Sequence, residues 1–170
     1  MSKPKLSKDQ KRKAKLAKRQ KKDMQKLQHP HAWALHSCYV SEHAHREGNQ
    51  DIIQVLLTRH HAGNYLSASF LVDLCCLGVK DCFISPIQTE YEADDLIGRS
   101  CARVETDGLK LVKASPKFAY ALIQAGVNYA KKWGISAGGD FNKTKRLLPT
   151  DILTLETEYD IHCGDADGLP

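Results

Sequence analysis

No run of about 18 consecutive apolar residues occurs in the 170-residue chain, so a membrane-spanning helix is not expected. The first residues carry charge with no apolar block behind it, so a secretory signal peptide is not expected. Six cysteines, at positions 38, 75, 76, 82, 101 and 163, form no Cys-x-x-Cys pair, the spacing shared by structural zinc sites and thioredoxin-like redox centres. Two of them, Cys75 and Cys76, are adjacent, an arrangement that fits poorly into a disulfide framework. They read as reduced, mostly buried thiols, and the expected location is the cytoplasm. Residues 3–26 contain no glycine, no aromatic residue and no proline after Pro4. Without aromatics that segment cannot stack on bases, and without bulky apolar residues it is a poor membrane-surface helix.

What the segment does contain is positive charge. Residues 1–26 hold twelve Lys or Arg and two Asp, a net of +10, whereas residues 27–170 hold thirteen against eighteen acids, a net of −5. The overall +5 therefore conceals two oppositely charged parts. Lys, Arg, Gln, Ala and Leu are good helix formers, and Ser7 with Gln10 matches a weak capping box, so a helix from about residue 8 into the twenties obeys local rules. Leu6, Leu16, Ala17, Met24 and Leu27 are too sparse to form a wide buried face. Like charges repel along such a segment when it is alone in water, leaving it helical only in part or disordered. A nucleic-acid backbone removes that repulsion and releases counterions as each phosphate is neutralised. The expected partner is nucleic acid, RNA rather than DNA, in a ribonucleoprotein particle such as the ribosome, with no membrane and no cofactor expected. The expected phosphate contacts are Lys11, Arg12, Lys13, Lys15, Lys18, Arg19, Lys21 and Lys22.

Pro30 marks the boundary between a tail over 1–28 and a single domain over 29–170. Within the domain, residues 51–59 are aliphatic, with Ile53, Val55 and Leu57 on one face, and Leu66, Ala68, Phe70 and Val72 repeat the alternation after 60–64. The two runs predict a β-hairpin whose loop holds His60 and His61 and takes positive φ at Gly63 and Asn64. The apolar run from Leu74 to Leu77 predicts a buried connection ending at Gly78. Residues 89–101 predict a short acidic helix, and Asp107-Gly108 a turn. The clearest helix begins at Ser115-Pro116 and ends at Gly134, with an apolar stripe of Phe118, Leu122, Ala125, Tyr129 and Trp133. Gly138-Gly139-Asp140-Phe141 reads as a flexible turn, 142–148 as one or two helical turns, and 152–159 as an edge strand. The fold class is α+β: a small antiparallel sheet built around the hairpin, with packed helices, preceded by the basic tail.

Chemistry-bearing residues are sparse. His29/His31, His36/Cys38 and His43/His45 recur at two-residue spacing, which on a regular strand directs each pair to one face, as some zinc ligands are arranged. They lack the usual zinc-ligand spacings, and no metal site is assigned. Asp73 and Asp81 bracket the Gly78 turn beside Lys80 and define the alternative function, a metal-assisted hydrolase or nuclease. A protein-interaction module with an acidic body is a further alternative. Gly138-Gly139 lacks the Lys-Ser/Thr ending and preceding strand of a phosphate loop, and Asp165-x-Asp167-Gly168 matches only part of a calcium loop.

The segments Phe70-Leu71-Val72-Asp73-Leu74 and Cys76-Leu77-Gly78-Val79-Lys80-Asp81, with Gly126-x-x-Tyr129-Ala130-x-x-x-Gly134 and Asp140-Phe141, resemble a bacterial protein family that also carries a Lys/Arg-rich start. The resemblance covers most of the body and implies no activity, substrate or cofactor. It implies a further strand beyond Gly168-Leu169-Pro170, and a Pro-His before Asp140 where this chain has Ser136-Ala137-Gly138-Gly139.

Overall fold

The structure, a computed structural model, describes residues 29–45 and 52–164. The basic tail with its predicted helix, Asp51, the side chain of His45 and the Asp165-x-Asp167-Gly168 segment lie outside the described residues. Among those described, five strands form one antiparallel sheet: β1 (Ala34–Ser41), β2 (Ile53–His61), β3 (Asn64–Asp73), β4 (Gly78–Ile84) and β5 (Leu111–Lys113), in the order β4-β3-β2-β1-β5. Helix α1 (Glu90–Thr106) carries the chain from one edge of the sheet to the other, and α2 (Pro116–Lys132) covers the opposite face. A short α3 (Phe141–Thr144) runs into a 3-10 turn, Lys145–Leu147. The α+β class and the central hairpin follow the sequence pattern. Among the described residues no helix is long and apolar enough to cross a membrane.

The hairpin is tighter than its composition suggests. β2 continues through His60 and His61, and a two-residue turn at Ala62 (φ 48°) and Gly63 (φ 74°) reverses the chain. Positive φ at both central residues matches the right-handed twist of the flanking strands. Asn64 is not a turn residue of positive φ; it opens β3, and its side-chain amide donates to the carbonyls of His61 and Ala62 at 3.4 and 3.2 Å. Ile53, Val55, Leu57, Leu66, Ala68, Phe70 and Val72 are all at most 1% exposed and pack with Phe118, Leu122 and Ile123 of α2. Burial of this face against one helix is the principal source of stability.

Several local expectations are corrected. The 74–77 connection is a turn with Leu74 buried, Cys75 and Cys76 half-buried and Leu77 exposed, because two strands joined so closely leave no room to bury all four side chains. The acidic helix runs on to Thr106, held at its start by a reciprocal capping box between Thr89 and Glu92. Trp133 lies past the end of α2 and is 45% exposed, unlike the rest of its stripe. No strand forms at 152–159. Gln124 donates to the Leu155 carbonyl at 2.8 Å and Asn128 to that of Leu153 at 3.3 Å, so polar side chains of α2 take backbone carbonyls that a strand would have offered to a neighbour.

Two glycine contacts fix how layers meet. A Cβ at Gly78 (φ 65°) would stand 2.5 Å from the Gly126 carbonyl oxygen, and one at Gly126 would stand 2.8 Å from Val72 Cγ1. Helix α2 can approach β3 and β4 only because both positions lack side chains. Gly138-Gly139, expected as a flexible turn, instead straps the outer edge of β4: the Gly138 N–H donates to the Val79 carbonyl at 2.7 Å, and a Cβ on either glycine would run into Lys80 or Asp81. The strap covers an edge that would otherwise offer unpaired backbone groups.

Gly78→Ala should destabilise the domain by about 2–4 kcal/mol, from left-handed backbone strain added to the clash with α2. Gly63→Ala, with open space around its Cβ, carries the backbone strain alone. Urea unfolding of both variants tests this, and equal losses would refute the close-approach account.

Candidate nucleic-acid interface

All eight predicted phosphate contacts, Lys11, Arg12, Lys13, Lys15, Lys18, Arg19, Lys21 and Lys22, lie outside the described residues. The structure does show where the tail joins the body. His29 has left-handed backbone (φ 49°), a 3-10 turn spans Pro30–Ala32, and Trp33 is buried ahead of β1. The fixed φ of Pro30 suits the first position of such a turn.

This junction is held from below by Arg59 of β2, a residue buried to 8% exposure. Its Nε donates to the Leu147 carbonyl at 2.8 Å, one terminal nitrogen donates to the Trp33 carbonyl at 2.7 Å, and the other to the Tyr120 hydroxyl at 2.6 Å. Among the described residues no carboxylate is paired with it. A planar guanidinium can satisfy three diverging acceptors at once, which an ammonium cannot do in the same geometry. Burial pushes the Tyr120 hydroxyl above its ordinary value, partly countered by the adjacent guanidinium.

Arg59 thereby ties together the two sides of a groove of about 610 Å³, one formed by the tail root and the other by the segment after α3. His29 and His31 line the first side; Lys145 and Arg146 line the second. Phe141, Leu148 and Ile152 supply an apolar floor, and Asp151 is the single carboxylate in the lining. Lys145 and His29 are exposed, while His31 and Arg146 are half-buried. Basic side chains above an apolar floor can hold an anionic group attached to a flat, apolar one.

The other sequence candidates do not assemble. A β-bulge in β1 between Leu35 and Ser37 makes His36 the extra residue, so His36 and Cys38 point to opposite faces instead of sharing one. His36 reaches α1, its Nε2 lying 2.9 Å from Asp94 Oδ1, and packs edge-on to Tyr65, which stacks on His60. Cys38 points into the core. His43 is buried, and neither ring nitrogen has a hydrogen-bond partner among the described residues. His60 and His61 belong to β2, not to a loop, and only His61 is exposed. Asp73 Oδ1 accepts from the Cys75 and Cys76 N–H groups at 2.9 and 3.0 Å, and Asp81 Oδ1 accepts from the Cys82 N–H at 2.8 Å. Both carboxylates are thus engaged by nearby backbone donors. Among the described residues no three His, Cys, Asp or Glu side chains are placed to hold a metal ion.

No family model, curated protein or solved structure matches the chain. The motif residues behind the bacterial resemblance serve packing: Gly78 meets Gly126 and Ala130, and the Phe141 ring lies edge-on to Phe70 at 6.4 Å. The sequence reading missed Arg59, Lys145 and Arg146. A lone Arg at the end of an aliphatic run, flanked by Thr58 and His60, was the available signal for a buried cation.

Four of the six thiols are poor nucleophiles. Burial pushes Cys38 from 9.0 up to about 12, against a lowering by Arg59, and pushes Cys163 up to about 11. Cys82 and Cys101 are raised as well, burial again being the first cause. A raised thiol favours the protonated form in the folded state, so the unfolded chain loses its proton first. Stability is therefore expected to be at full value below pH 9 and to fall as pH rises from 9 towards 12, with a shallower fall in Cys38→Ala. Denaturant titrations across that range check the slope. Separately, Arg59→Met should cost about 2–4 kcal/mol, because three buried acceptors lose their donor. A loss under about 1 kcal/mol in urea unfolding would show that Arg59 does not hold the junction.

Proposed function

We propose that this protein is a cytoplasmic RNA-binding protein, associated with a ribonucleoprotein particle such as the ribosome, which grips phosphates through its N-terminal tail. The observation that carries the reading is the concentration of +10 in residues 1–26 against −5 in the remainder. A charge run of that density, too poor in apolar residues to bury itself, is stabilised by a polyanion and by little else. Its lack of aromatics directs it to backbone phosphates and away from base edges. The groove at the tail root adds support, since Lys145 and Arg146 extend positive charge from the end of the tail onto the body.

Binding of a structured RNA should fall steeply with salt, with a slope of log K against log salt of about −0.7 to −0.9 for each phosphate contact. Replacing Lys11, Arg12, Lys13, Lys15, Lys18, Arg19, Lys21 and Lys22 by Gln should flatten that slope and weaken binding by more than about 100-fold at low salt. Fluorescence anisotropy at several salt concentrations measures both. An unchanged slope in the substituted protein rules out the tail as the phosphate-binding element.

A further inference from the structure

We infer that Cys75 and Cys163 are the two halves of a reversible disulfide, a redox staple that ties the segment ending at Gly164 to the turn between β3 and β4. The inference stands apart from RNA binding and needs nothing from the tail.

Backbone geometry brings the pair together. The Gly164 N–H donates to the Leu74 carbonyl at 2.9 Å. In a planar trans peptide, the Cα ahead of an N–H and the Cα after a C=O both lie on the hydrogen-bonded side. Those two Cα atoms belong here to Cys163 and Cys75, and standard bond lengths then hold them about 4–7 Å apart. A disulfide spans Cα separations of about 4.4–6.8 Å. The side chains are also within electrostatic reach: burial pushes the Cys163 thiol up to about 11, the Lys132 ammonium opposes that rise, and the charge of Cys75 adds to it. Both cysteines are half-buried, so a small oxidant can reach them.

Other thiols are placed elsewhere. Cys38 and Cys82 are buried in β1 and β4, and Cys101 lies on α1, across the sheet from α2. Cys76 stands one residue beyond the peptide that bonds to Gly164. What the link would hold is a stretch without regular structure, since residues 155–164 form no helix or strand and lie on α2 through contacts such as the Tyr159 ring against Phe118 at 5.1 Å. A cross-link closing a loop of roughly 90 residues removes much of the freedom of the unfolded chain.

A low-molecular-weight disulfide is the oxidant. The Cys75 thiolate attacks one of its sulfurs and expels the other half as a thiolate, leaving a mixed disulfide on Cys75. Cys163 then gives up its proton and attacks the Cys75 sulfur, expelling the second half. The two protein thiols lose two electrons and two protons, and the two released thiols take up both. The raised Cys163 suits the second step, where proximity compensates for a low thiolate fraction.

The test treats the undenatured full chain with excess oxidised glutathione and maps its peptides without reduction. The expected product has lost two of its six thiols, joins the Cys75 peptide to the Cys163 peptide, and reverts in reduced glutathione. It should melt about 5–15 °C above the reduced form. Cys163→Ser is expected to stop at the mixed disulfide on Cys75, with no comparable rise over its own reduced form, whereas Cys76→Ser should behave as the native chain. A native chain that keeps all six thiols or acquires only mixed disulfides, a link to Cys163 that persists in Cys75→Ser, or a link that leaves the melting temperature unchanged overturns the inference.

Discussion

A single guanidinium, that of Arg59, joins parts of the chain that the sheet alone does not bring together. It stands on the central strand β2 and donates to Trp33 before β1, to Leu147 after α3 and to Tyr120 on α2. Moving a cation into the interior costs several kcal/mol, and neutral oxygens repay that less fully than a carboxylate would. The compensation is geometric. Three acceptors from three segments are fixed at once by one planar donor, so the tail root and the segment after α3 face each other across a defined gap. Without an anion beside it, the same charge also adds to the positive potential beneath that gap.

Exposed carboxylates lie on both sides of the sheet. Helix α1 carries Glu90, Glu92, Asp94 and Asp95 on exposed positions of the face opposite α2. The groove lies on the side of Phe141 and Leu148, both members of the core beneath α2. That side carries acid as well, since Asp151, Glu156, Glu158 and Asp160 are exposed in the segment after α3. The α1 face is held by contacts unlike those of the core: His36 to Asp94, and a buried hydroxyl pair between Thr58 and Ser67 at 2.9 Å. Polar contacts of this kind fix orientation more than they add stability.

Periodicity exposed the parts of the fold whose side chains all answer to one partner. The alternation of Ile53, Val55 and Leu57 and of Leu66 through Val72 is legible because α2 covers that whole face, and the cap at Ser115 and stop at Gly134 delimit α2 itself. Legibility fails where a local event changes the count. The bulge at His36 reverses the facing of one residue, and no composition signal announces it. Alternation at 152–159 resembles a strand, yet Gln124 and Asn128 claim its carbonyls from another element. Gly138-Gly139 reads as freedom in one dimension and is close contact in three, since its meaning depends on Lys80 and Asp81 across the gap. The candidate site was hidden for the same reason: His29, Arg59 and Lys145 are distant in sequence and meet only through folding.

The proposed role asks different things of the two parts of the chain. Phosphate contacts along a cationic segment give affinity that depends on salt and hardly on sequence or pairing, so such a segment needs no fixed shape of its own. The start of the described chain is built the other way. A three-residue turn, Pro30–Ala32, is followed by Trp33, whose carbonyl accepts from Arg59, and the same guanidinium takes the Leu147 carbonyl from the segment after α3. Two backbone oxygens from distant parts of the sequence are therefore held by one planar group, and neither can move without leaving a buried donor unpaired. The order of this junction is set by the interior of the domain and owes nothing to the charge of the segment in front of it.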